Sequence, residues 1–173
     1  MTTLNEYLVQ KKAAVEARSA KAEHNTEVIV HRAKVRAAGR SGVREIRIRD
    51  FQIISDSPDD FAGYNLGPSS PELQLGVLGS CLTHITLIQA SIRGVSLETL
   101  EVEVTGELHP LAGKPGYEEI PVYPHNIAYT VTLGSTETDE TIQALREAVE
   151  RVCPIYNLLV NPQTIQGQFV KKS

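Results

Sequence analysis

The chain has 173 residues, with 17 Lys+Arg against 21 Asp+Glu, a formal net charge of −4, two cysteines and no tryptophan. This length suits one domain whose core buries about two thirds of the unfolded surface, so no disulfide or metal staple is needed. Two cysteines exclude a secreted disulfide scaffold, and mixed charge without low-complexity tracts excludes global disorder.

Leu4 to Ala22 is rich in Ala, Glu, Lys and Arg and lacks Gly and Pro, so it reads as a helix. Its apolar residues are few, which points to docking on a partner subunit. No signal-peptide h-region precedes it. Strands are expected at Glu27–Ala37, Val43–Arg49 and Phe51–Ser55, with Gly39 and Gly42 marking a turn between the first two. Ser57 to Pro71 has loop composition. A long helix begins near Pro71–Glu72, because proline suits the first turn and a carboxylate suits the positive helix end. Leu73 to Ile92 is apolar nearly all round, as expected of a buried central helix, and polar residues interrupt it too often for a membrane span. Gly94 ends it. Leu97–Leu108 and Ile127–Leu133 alternate as strands, with a loop over His109–Pro124. Thr138 opens an amphipathic helix that Pro154 interrupts. A short helix over Ile155–Val160 and a last strand over Ile165–Val170 complete the order αβββαββααβ. That order lacks strict βα alternation, so the fold class is α+β.

Residues 1–50 hold 11 Lys+Arg and 6 Asp+Glu, a balance of +5; the other 6 and 15 leave −9. The cations of residues 32–49 alternate with apolar residues and lack interleaved aromatics. They read as a solvated sheet face, with no nucleic acid as partner.

Cys81 and Cys153 each read two ways. Mid-helix, Cys81 packs as a small hydrophobe and gains nothing from the helix dipole. Cys153 precedes Pro154, which places its sulfur at a helix N-terminus, a setting that favours thiolate. They lie 72 residues apart, so no local motif links them. Cys81 and His84 are one turn apart, but no second pair of ligands follows, so no metal is expected. His84 is a satisfied lining residue or a group polarising Cys81. There is no phosphate-binding loop, nucleophile elbow or dinucleotide fingerprint.

The run GPSSPELQLGVLGSCL from Gly67 to Leu82 resembles the signature of the OsmC/Ohr family. The run VCPIYNLLVNP from Val152 to Pro162 resembles its second half. The resemblance implies an OsmC-like fold over residues 26–173 behind an N-terminal helical extension, residues 1–25. It implies an intertwined homodimer with two long central helices enclosed by antiparallel sheets. It also implies a cofactor-free thiol peroxidase, and a chain with neither a signal-peptide h-region nor a membrane span is expected to be cytoplasmic. Its substrate would be an organic hydroperoxide and its reductant a dithiol, with neither membrane nor nucleic acid as partner. Cys81 would be peroxidatic and Cys153 resolving. Arg40, in the turn Gly39-Arg40-Ser41-Gly42, would pair with the nucleophile, with Arg44 as fallback. Glu72 would hold that arginine or serve as a helix N-terminal carboxylate only; the clamp position ten residues before Cys81 is Pro71. The alternative function is a non-catalytic relative binding a small apolar ligand at the dimer interface.

Overall fold

The computed structural model describes residues 4–172; Met1–Thr3 and Ser173, which the expected domain boundaries include, lie outside the described residues. The elements are α1 (Leu4–Ala22), β1 (Lys34–Ala37), β2 (Arg44–Ile48), β3 (Phe51–Ser55), a 3-10 turn (Asp59–Phe61), α2 (Ser70–Arg93), β4 (Thr99–Glu107), β5 (His125–Gly134), α3 (Asp139–Val152) and α4 (Pro154–Val160). The α+β class holds. β1, β2 and β3 form one antiparallel sheet, and β4 pairs with β5 in a second.

α2 organises the molecule. Ser69 is its N-cap, Pro71 sits in its first turn, and Gly94 caps its end at φ 71°. Only glycine takes that left-handed geometry without a steric penalty, which is why the helix stops there. Leu78, Leu82, Thr86 and Ala90 are buried along it. They recur every four residues and so form one stripe. α1, β4, α3 and α4 pack around this helix. The expectation of burial all round is corrected: Val77 and Ile92 are about half exposed in the single chain. By length and composition α2 could cross a membrane. Its stripe instead builds a core with Leu8, Val95, Leu97, Leu145, Val149 and Cys153.

α1 docks on its own chain. Leu8 is buried in the core, and Asn5 Oδ1 accepts from the Ser96 hydroxyl at 3.0 Å and the Leu97 N–H at 2.8 Å. A few apolar residues suffice because those hydrogen bonds fix the helix at its first turn.

The first sheet stands apart from this core. β1 is exposed throughout, and Val35, Phe51 and Ile53 are at least two-fifths exposed. Two expected strand segments stay unpaired. Residues 25–33, much of the first expected strand, lie outside β1, and no strand forms over Ile165–Val170. Both carry exposed apolar residues, among them Val28, Ile165 and Phe169. Strand conformation is a property of pairing, and the single chain offers these segments no neighbour.

Candidate active site

The two cysteines meet. Cys81, in the middle of α2, and Cys153, between α3 and α4, place their sulfurs 3.4 Å apart, with the Cys153 thiol donating to Cys81 Sγ. Both are free thiols, Cys81 half-buried and Cys153 fully buried. Pro154 brings them together. It ends α3 and restarts the chain as α4, so Cys153 points back into the core against α2.

Cys81 faces an open cavity of about 410 Å³ lined by Leu73, Gly76, Val77, Ser80, His84 and Ile155. Burial pushes the Cys81 thiol up from its ordinary value. The Ile155 backbone N–H, in the first turn of α4, works against this, and the neighbouring Cys153 adds to the rise. The start of α4 therefore serves Cys81 as well as the cysteine that precedes it. Among the described residues no cation acts on Cys81. His84 is on the cavity wall and is held below its ordinary value by burial, then by the positive charges of Lys11 and Arg18 on α1. It is neutral at pH 7 and supplies no charge to a thiolate.

The remaining sequence candidates lie elsewhere. Glu72 Oε2 accepts from the Ser69 N–H and hydroxyl, each at 2.7 Å, and closes the start of α2. These bonds hold its carboxyl below the usual range. It lines a cleft facing β4, with Leu75, Gly79, Thr83, Val102 and Val104, that adjoins the Cys81 cavity at Gly76 and Ser80. Nine residues at about 100° each put Glu72 about half a turn round α2 from Cys81. Arg44 is committed to the loop after β3. It donates to Ser55 Oγ at 3.0 Å, Ser57 Oγ at 3.3 Å and the Asp56 carbonyl at 2.8 Å. Arg40 is exposed in the β1–β2 turn and forms no ion pair among the described residues. Among the described residues no cluster suited to a metal ion occurs. The sequence reading missed Ile155 and Asn157. Their signal was their place two and four residues after Cys153, where a helix start must satisfy its own backbone.

A family model described as OsmC-like protein matches residues 63–167. The chain belongs to the OsmC-like family. The match includes Glu72, Cys81 and Cys153 and begins after Arg40 and Arg44. Comparison with curated proteins finds no match. Among solved structures, an OsmC-like protein from Mycoplasma pneumoniae is 18% identical with a TM-score of 0.66, over 78% of this chain and 89% of that one. An organic hydroperoxide resistance protein OsmC from Legionella pneumophila is 17% identical with a TM-score of 0.54, over 77% and 90%. An OsmC-like protein of unknown function from Vibrio cholerae is 13% identical with a TM-score of 0.55, over 75% and 93%. At these identities the likeness establishes the OsmC-like fold.

Proposed function

We propose that this OsmC-like chain is a cytoplasmic, cysteine-based organic hydroperoxide reductase that works as a homodimer. The observation that carries the reading is the 3.4 Å contact between two free thiols 72 residues apart in sequence, beside a largely apolar cavity. The Cys81 thiolate attacks the terminal oxygen of the hydroperoxide. An S–O bond forms, the O–O bond breaks, and the alkoxide takes a proton and leaves as alcohol. Cys153 then attacks Cys81 Sγ. An S–S bond forms, the S–O bond breaks, and hydroxide takes a proton and leaves as water. The sulfurs then close from 3.4 Å to the about 2.05 Å of a disulfide. A dithiol returns two electrons and restores the thiols.

The chemistry needs a cation that the single chain does not bring to Cys81. Arg40, exposed on a sheet with uncovered faces, supplies it from the second copy in this reading, and Glu72 holds the start of α2. Hydroperoxide consumption by the purified protein with dithiothreitol tests the function. Cys81→Ser is expected to abolish turnover, and Cys153→Ser to oxidise once and stall. Wild-type consumption no faster than the double-serine variant would sink the idea.

One observation favours a second reading. Burial pushes the Cys81 thiol up, which suits a protein that keeps both thiols protonated and binds a small apolar ligand in the cavity. An unchanged thiol count after hydroperoxide, with saturable binding of an apolar fluorophore, would support it.

A further inference from the structure

The break between α3 and α4 contains an exchange of hydrogen bonds. In a continuous helix the N–H of residue 154 would bond the Glu150 carbonyl, and that of Ile155 the Arg151 carbonyl. Pro154 has no N–H, and its ring crowds the carbonyl four residues back. The chain therefore turns at Cys153, with φ −69° and ψ 114°. That residue closes one helix and opens the next: its N–H donates to the Val149 carbonyl at 2.9 Å, and its carbonyl accepts from the Asn157 N–H at 3.0 Å.

The turn strands the carbonyls of Glu150 and Arg151, and the side chain of Asn157 meets them. Its Nδ2 donates to the Glu150 carbonyl at 2.9 Å and the Cys153 carbonyl at 2.9 Å, with a longer contact to the Arg151 carbonyl at 3.4 Å. All three neighbours accept only, which fixes the orientation of the amide. The Ile155 N–H, released from Arg151, favours the thiolate form of Cys81. The Cys153 thiol reaches the Cys81 sulfur.

We infer that Asn157 is a positioning residue for the thiol pair: its amide takes the carbonyls that Pro154 strands, holds the turn at which Cys153 meets Cys81, and so fixes the start of α4 against Cys81. The role rests on reading Cys81 and Cys153 as a redox pair. It acts through the backbone of Cys153 and Ile155.

Two measurements test it without hydroperoxide. The first is the thiol–disulfide equilibrium with oxidised dithiothreitol. There the two protein thiols form one S–S bond and pass two electrons and two protons to the reagent. Asn157→Ala is expected to lower the equilibrium constant about tenfold, the order of one or two net hydrogen bonds. Asn157→Asp does the same, because an ionised carboxylate can only accept and faces carbonyls. The second is alkylation of Cys81 by iodoacetamide against pH in the Cys153→Ser background. Asn157→Ala moves its midpoint upward. If Asn157→Ala fails to fold, the isosteric Asn157→Asp carries both measurements. An unchanged equilibrium and an unchanged midpoint, with only the melting temperature lowered, would reduce Asn157 to a structural residue and overturn the inference. A wild type that consumes no hydroperoxide while its variants show both shifts defeats the peroxidase reading and leaves the role of Asn157 standing.

Discussion

The two sulfurs differ most in access. Cys153 is fully buried, whereas Cys81 opens on the cavity. A thiol reagent of moderate size should therefore label Cys81 in the native protein and spare Cys153, as peptide mapping after brief iodoacetamide treatment reports. Equal labelling would mean that the α3–α4 turn opens readily. The direction of the Cys81 shift yields a second expectation. With burial alone acting, the thiol ionises above the ~8.5 of a free cysteine. A thiol raised in the folded state contributes stability that is complete below that value and is lost as pH rises through the folded one. Reading Arg40 as the missing cation reverses the shift in the assembled protein. Arg40→Gln should then move the alkylation midpoint of Cys81 upward, and an unchanged midpoint would remove Arg40 from the site. The sequence named both cysteines, but not their contact, because 72 residues of intervening chain carry no distance information. It assigned the favourable helix start to Cys153 alone, because the first N–H groups of a helix do not announce which sulfur they face.

Among the elements, α2 was the most legible, since Pro71, Glu72 and Gly94 mark its ends by local chemistry. Its buried stripe carries much of the stability. Leu82 is 0% exposed beside Cys81, and Leu82→Ala should cost about 3 kcal/mol in urea unfolding. A second anchor joins β5 to α3, where the Tyr129 hydroxyl donates to Glu150, which also pairs with Arg146 at 2.9 Å. Burial, then that carboxylate, pushes the Tyr129 phenol up to about 12. Tyr129→Phe should cost about 1 kcal/mol, a charged hydrogen bond discounted for partial exposure. The loop into α2 was read only as loop composition, yet it is tightly built. Burial opposes ionisation of Asp56, but N–H groups of Ser57, Tyr64 and Leu66, together with Arg44, outweigh it and hold the carboxyl below the usual range. Its contribution is present above the ~3.9 of a free aspartate and is lost as pH falls through the lower folded value. Asp56→Asn should flatten the acid limb of a melting-temperature profile. Gly63 is fixed by space, since a Cβ there would lie 1.8 Å from the Ser57 carbonyl oxygen.

At the scale of the whole molecule, the unused surfaces point to a second copy. The first sheet lacks cover, α2 keeps exposed apolar flanks, and two unpaired segments hold Val28 at 90% and Phe169 at 108% exposure. An isolated chain with this much unpaired strand and apolar surface is prone to pair with itself. Sedimentation should give a dimer, and removal of residues 163–172 should weaken it; a wild-type monomer at micromolar concentration would contradict this. Strand periodicity was visible at Ile165–Val170, but whether a strand forms depends on a neighbour that one chain does not contain. The account turns on whether the two thiols are a redox pair. Intact mass of the reduced protein after one equivalent of cumene hydroperoxide tests this most directly. A loss of about 2 Da, the two thiol hydrogens, is expected for the wild type and absent in Cys153→Ser. An unchanged wild-type mass with both thiols still titratable would contradict the account.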